Sequence, residues 1–157
     1  MPSISAAEVG EWLGSGGWFP TRDIGERADD LIEFRVNDAA RQGSTLQAID
    51  PARRFIHSYG ELELPLRKSS EEMLIIDPTV GYEGDVEDFA ECAAGLGKAI
   101  FPVGAETHEY GLLVIDELGR FFYRHHTGFY FLGNDELEAF SALLIGNKFV
   151  DAEEFYI

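Results

Sequence analysis

Between Ala99 and Arg124 the chain reads AIFPVGAETHEYGLLVIDELGRFFYR, three short apolar runs (Ala99–Val103, Gly111–Ile115 and Arg120–Tyr123) set apart by Gly, Glu, His and Asp. Short apolar runs bounded by turn residues form strands, so this stretch predicts the centre of an antiparallel sheet. Asp116-Glu117-Leu118-Gly119 fits a type I turn in which Gly119 supplies a left-handed residue, because glycine alone reaches positive φ without steric cost. Gly111–Arg124 is therefore expected to be a hairpin, and the rest of the chain must cover the sheet around it.

The flanking segments supply both helices and further strands. Ser5 and Glu8 have the spacing of a capping box, in which each side chain satisfies a free backbone donor; Val9, Trp12 and Leu13 follow on one face, and Gly14–Gly17 ends that helix. A longer helix is expected over Asp23–Gln42, with Ile24, Ala28, Leu31, Arg35 and Ala39 near one face. Asp50-Pro51 opens a third, Asp as cap and Pro at the first helical position. Glu61–Leu66 and Met73–Ile76 read as short strands. Asp85–Leu96 is an amphipathic helix, burying Val86, Phe89, Ala90, Ala93 and Leu96 with Glu87, Asp88 and Glu91 outside. Gly128–Leu132 is an aromatic strand, Asn134-Asp135-Glu136 caps a last helix running toward Gly146, and Phe149–Ile157 either packs back as one more strand or stays loose. Nothing divides the chain, which reads as a single domain over residues 1–157.

Charge is the most informative total. The 157 residues carry 29 acidic and 12 basic side chains, a net charge of −17, and residues 61–91 alone hold ten acids against Arg67 and Lys68. Such a field repels nucleic acid and anionic lipid and speeds association with cationic partners. Nucleic-acid binding is excluded further because phosphate contacts need basic clusters, and the longest here are Arg53-Arg54 and Arg67-Lys68. One cysteine, Cys92, precludes an internal disulfide, no basic-then-apolar leader is present, and no apolar run nears the roughly 18 residues that cross a bilayer. The expectation is a cytoplasmic protein without membrane contact.

Catalytic motifs are missing. Gly14–Gly17 lacks the Lys-Ser/Thr of a phosphate loop, Phe19 stands where a dinucleotide fingerprint needs Gly, and Ser58 has no nucleophile elbow around it. Cys92, on an acidic helix, is expected to be a buried, unreactive thiol. His125 and His126 are adjacent, and on a strand continuing through them they would point to opposite faces, unable to share a metal. His57 fits the C-terminal end of a helix, whose dipole favours a cation. The reading therefore assigns no catalytic residue, no cofactor and no metal.

Six motifs in order give the chain a likeness. Gly17-Trp18-Phe19-Pro20 with Arg22, Tyr59-Gly60-Glu61-Leu62, Asp77-Pro78-Thr79, Phe101-Pro102-Val103-Gly104, Ile115–Arg120 with Tyr123, and Phe131-Leu132-Gly133 before a helix together resemble the SUKH immunity proteins, specifically their third subgroup. The resemblance is strongest over residues 12–146. Thr21 and Glu61 depart from it, each standing where the family commonly has Gly. The likeness implies an α+β domain with a mainly antiparallel sheet of about five to six strands and flanking helices. It also implies a non-catalytic protein that binds and neutralises a toxin of a bacterial polymorphic toxin or contact-dependent system, commonly a nuclease. The motif residues themselves read as structural: Gly104 and Gly119 as turns, Pro102 as a strand end, Trp18 and Phe131 as core.

A nuclease holds phosphate in a basic groove, so an acidic protein can occupy that groove as a competitor. The expected toxin-binding residues are Glu71, Glu72, Glu83, Asp85, Glu87, Asp88 and Glu91, with Tyr82 as an aromatic anchor. Asp151, Glu153 and Glu154 form a competing acidic patch. Two other readings stand beside this one: a non-catalytic interaction module in regulation or scaffolding, and a small-molecule site using the hairpin and His125. The sequence leaves monomer or dimer undetermined.

Overall fold

The computed structural model describes residues 4–66, 71–146 and 149–157; the Arg67-Lys68 pair lies outside them. Among the described residues seven strands form one sheet in simple sequence order: β1 (Glu63–Pro65), β2 (Met73–Ile75), β3 (Ile100–Glu106), β4 (Leu112–Asp116), β5 (Phe121–His125), β6 (Gly128–Gly133) and β7 (Val150–Asp151). Every neighbouring pair is antiparallel. The α+β class is as the sequence implied, with one strand more than expected. The extra strand comes from the tail, where Asp151 and Val150 pair with Tyr130 and Phe131 before a 3-10 turn over Ala152–Phe155.

Among the described residues five helices accompany the sheet: α1 (Ala6–Ser15), α2 (Glu26–Arg41), α3 (Asp50–Tyr59), α4 (Asp85–Leu96) and α5 (Glu136–Ile145). The capping box at Ser5 and Glu8 forms, and Asp135 caps α5 by accepting from the Glu138 amide. Helix α2 starts three residues later than the periodicity suggests, because the Asp23 side chain accepts from the Gly25 amide (2.8 Å) and holds the chain in a turn. Ile49, not Asp50, is the cap residue of α3, so Asp50 enters the first helical turn beside Pro51.

All residues of β3 and β4 are buried, which requires cover on both faces of the sheet. The alternation along β5 shows it. Phe121 meets Phe55 of α3 edge to face (5.1 Å between centroids), while the next residue, Phe122, meets Phe131 (5.7 Å) and Phe155 of the 3-10 turn (6.1 Å). Successive strand side chains point to opposite faces.

The motifs that carry the family likeness prove to be joints of this scaffold. Arg22 donates to the carbonyls of Ser58 (2.7 Å) and Gly60 (2.8 Å), tying the Gly17–Arg22 loop to the end of α3. Trp18 stacks on Tyr59 (5.4 Å, 10° between planes) and donates to Ser58 Oγ (3.1 Å). Pro102 and Gly104 require a correction: both lie inside β3, where a bulge between them shifts the register against β4. A bulge is where an interior strand tolerates proline, and a Cβ at Gly104 would stand 2.5 Å from the Ile75 carbonyl oxygen of β2. Trp18 and Phe131 pack at the rim of the core, half-buried, instead of filling it. Glu61 takes φ 68°, the left-handed conformation that a glycine would occupy freely.

Candidate functional site

Antiparallel order gathers alternate turns at one end of the sheet. Residues 71–72 before β2, 107–111 between β3 and β4, and 126–127 between β5 and β6 all lie there. The first turn of α4 joins them, since Asp88 accepts from the Tyr82 hydroxyl (2.6 Å) and pairs with Arg124 of β5 (3.3 Å).

The 107–111 loop is built on one buried carboxylate. Glu106, 6% exposed, accepts from the amides of His108 (2.6 Å), Glu109 (3.0 Å) and Gly111 (2.9 Å) and from the Tyr123 hydroxyl (2.5 Å). Burial opposes its ionisation, yet the bonds from Tyr123 and the three amides hold the carboxyl below its usual range. Burial, reinforced by the Glu106 charge, pushes the Tyr123 phenol up. With its backbone pinned from inside, the loop turns His108, Glu109 and Tyr110 outward. Tyr110 is 77% exposed and held at φ 59°. Gly111 admits no side chain, because a Cβ would lie 2.2 Å from the Tyr123 ring.

The residues expected to bind a partner divide on inspection. Glu71, Glu83, Glu87 and Glu91 are exposed, as is Tyr82; Glu72 and Asp88 are half-buried. Glu72 pairs with His108 Nδ1 (2.8 Å), which places it against the 107–111 loop. Glu83 pairs with Arg41 of α2 (2.5 Å). The Tyr82 hydroxyl also accepts from Arg124 Nε (3.3 Å), and burial followed by the Asp88 bond raises its pKa.

Asp85 is different. It is fully buried, bonded through Oδ2 to Arg35 Nη2 (2.5 Å) and to the Tyr82 amide (3.2 Å). It therefore fixes the start of α4 to α2 and faces no partner. Its Oδ1 and Arg35 Nε are buried polar atoms with no hydrogen bond among the described residues. The competing C-terminal acids lie on the tail, Glu153 and Glu154 in the 3-10 turn and Asp151 capping it.

Tyr82, Asp88, Glu109, Tyr110, Arg124, His125 and His126 surround one cavity of about 320 Å³. A neighbouring one of about 190 Å³ takes in Glu72, Glu106, His108 and Glu109. Glu109 is common to both, so the acids at 71–72 and those on α4, separate in sequence, meet through a loop that sequence reasoning passed over. Tyr110-Gly111 ahead of an apolar strand was the available signal, since a glycine there marks the return of a hairpin.

The histidine pair also requires correction. Strand β5 stops at His125 and Gly128 reopens the chain at φ 147°, so His126 lies in the turn. Its ring comes within 3.9 Å of the His125 ring, centroid to centroid. His57 does more than end a helix: its two ring nitrogens bridge Asp23 (2.7 Å) and Asp29 (2.9 Å). Cys92 is fully buried, and burial pushes its thiol up to about 12, which keeps it protonated and unreactive.

A meander of antiparallel strands with helical cover, bearing an acidic and aromatic end pinned from within, defines an α+β domain whose exposed chemistry suits protein recognition. The chain belongs to the SUKH-3 immunity protein family, whose model matches residues 5–146. No curated protein and no solved structure matches it. Among the described residues no helix is long and apolar enough to cross a membrane.

Proposed function

We propose that this protein binds and neutralises a cognate bacterial toxin in the cytoplasm, without catalysis, and that the toxin is a nuclease whose basic, phosphate-holding groove receives the acidic end of the sheet. Family membership supports the immunity role. The observation that carries the choice of surface is the convergence of Glu72, Tyr82, Asp88, Glu109 and Tyr110 around two adjoining cavities, with the Glu71 carbonyl accepting from Thr107 of the same loop and Glu83, Glu87 and Glu91 exposed just before and along α4. Opposite fields speed encounter and select the partner, and the two exposed tyrosines offer the rigid aromatic area that interface centres favour. Arg124 does not spoil the surface, because its charge is matched by Asp88.

The test is co-expression with the product of the gene immediately upstream, scored by host survival and by co-purification at low and high salt. Survival with a salt-sensitive complex is expected. Paired charge reversal, Glu87→Lys with Glu91→Lys, and separately Tyr110→Ala, should each weaken the complex at least about tenfold, within the range of interface hot spots. Protection that persists in both variants overturns the surface while keeping the immunity role. No complex and no protection against the upstream product overturns the role itself.

A further inference from the structure

At the edge of the proposed toxin contact, and sharing Glu109 with it, the loop after β3 and the turn after β5 bring three ligands together. Glu109, His125 and His126 each offer one ligand atom, and these atoms all lie within 4.8 Å of one another. They line the cavity of about 320 Å³ together with Tyr82, Asp88, Tyr110 and Arg124. Three features suit the group to a cation. His125 is held from behind: the Thr127 amide donates to its Nδ1 (3.3 Å) and the Thr127 hydroxyl stands 2.8 Å from the same atom, which turns Nε2 onto the Glu109 carboxylate. Thr127 is itself fixed by the Tyr130 hydroxyl (2.7 Å). Such outer partners orient imidazole ligands in metal sites. His126, exposed in the turn, lies against the His125 ring.

We infer that Glu109, His125 and His126 form a binding site for a borderline divalent transition cation, Zn²⁺ above all, with a fourth position open to water. Two imidazoles and one carboxylate select zinc, nickel or copper over magnesium and calcium, which prefer all-oxygen sites. Bonds of about 2.0–2.2 Å in a tetrahedron put ligand atoms about 3.3 Å apart, so no pair need close by more than about 1.5 Å and the His125–Glu109 pair opens to admit the ion, movements within reach of an exposed turn and an exposed Glu. The cation takes His125 Nε2 in place of the hydrogen shared with Glu109, and the imidazole stays neutral by carrying its N–H on Nδ1, donated to the Thr127 hydroxyl in place of the bond from the Thr127 amide. The net charge of −17 raises the local concentration of any cation. The site stands independently of the immunity reading, since it needs no toxin.

The test is calorimetric titration of the full chain with zinc chloride in chelator-free buffer, alongside Co²⁺ absorption as a report on coordination. One Zn²⁺ per chain is expected, with a tetrahedral Co²⁺ spectrum. His126→Ala, which removes an exposed turn side chain, and Glu109→Gln should each weaken Zn²⁺ at least about tenfold. His57→Ala, which removes an imidazole elsewhere, should leave binding unchanged. Absence of saturable one-to-one binding in the wild type overturns the site, and so does affinity unaltered by His126→Ala.

Discussion

The two ends of the central sheet solve the same problem with different chemistry. At one end Glu106 organises the turn between β3 and β4; at the other Asp116 organises the turn between β4 and β5. Both carboxylates are buried, at 6% and 0% exposure. Asp116 accepts from the amides of Leu118 (3.0 Å) and Arg120 (2.9 Å) and meets its charge with Arg120 Nε (2.7 Å). Glu106 has neutral donors, three amides and a phenol. The Asp116 turn is short and places glycine at its left-handed position, Gly119 at φ 83°, whereas the Glu106 loop forces Tyr110 into that conformation at φ 59°. One end is relaxed and internally neutralised. The other keeps a strained aromatic on display among acids, the pattern expected where strain is tolerated for recognition.

The largest effect should come from removing the two carboxylates in turn. Glu106→Ala strands four donors, three of them loop amides, and should cost about 3–4 kcal/mol. Asp116→Ala should cost less, about 2–3 kcal/mol, because the Arg120 head group sits near the surface and can turn to water. Urea unfolding of both variants at pH 7 measures the gap. A greater loss at Asp116 would mean that the charged pair, not the set of neutral donors, is the stronger device.

Acid titration sharpens the same contrast. Hydrogen bonds depress the folded pKa of Glu106 against the opposing effect of burial, so the stability it contributes is present above the unfolded carboxyl value of about 4.3 and is lost as pH falls through the folded value. Glu106→Gln should flatten that acid limb of the stability profile. At the neutral side His57 runs the other way. Its pKa is raised by the bonds from Asp23 and then Asp29, so its contribution is full below about 6.5 and fades as pH rises through the folded value. A His57→Gln variant should lose the decline in thermal stability as pH rises above about 6.5, keep the Glu106 part of the acid limb, and give up the small part that Asp23 and Asp29 owe to their bonds with His57. Both slopes surviving both substitutions would detach the pH response from these residues.

How much of this was legible in the sequence depended on whether the deciding partner was near in the chain. Helix α4 was read with its observed bounds because the apolar period lies within it and Gly84 and Gly97 flank it in left-handed conformations. Asp85 was misplaced on the surface because its partner, Arg35, is 50 residues away. A clue existed: Arg35 falls on the apolar face of α2, and a buried guanidinium demands a carboxylate. The histidine pair was misread for a local reason, since strand alternation was extended one residue past the point where the turn to Gly128 begins. Pro102 and Gly104 looked like a strand end, because a bulge is a relation between two strands and leaves no period in one. The acidic end was half legible: the acids on both segments were named, but their junction at Glu109 is a product of sheet order.

The smallest effect tests the strain itself, and the two turns provide opposite signs. Gly119→Ala meets no atom within 4 Å of the new Cβ, so its whole cost is the left-handed backbone, about 1 kcal/mol. Tyr110→Gly releases the same conformational penalty but adds the flexibility of glycine to the unfolded chain, about 0.5–1 kcal/mol. The net change should be a gain of at most about 1 kcal/mol, visible as a slightly higher melting temperature. The same variant removes the most exposed aromatic of the acidic end, so stability and partner binding should move in opposite directions. If Tyr110→Gly instead destabilises the fold by as much as Gly119→Ala does, Tyr110 is held by packing and its conformation stores nothing for recognition to use.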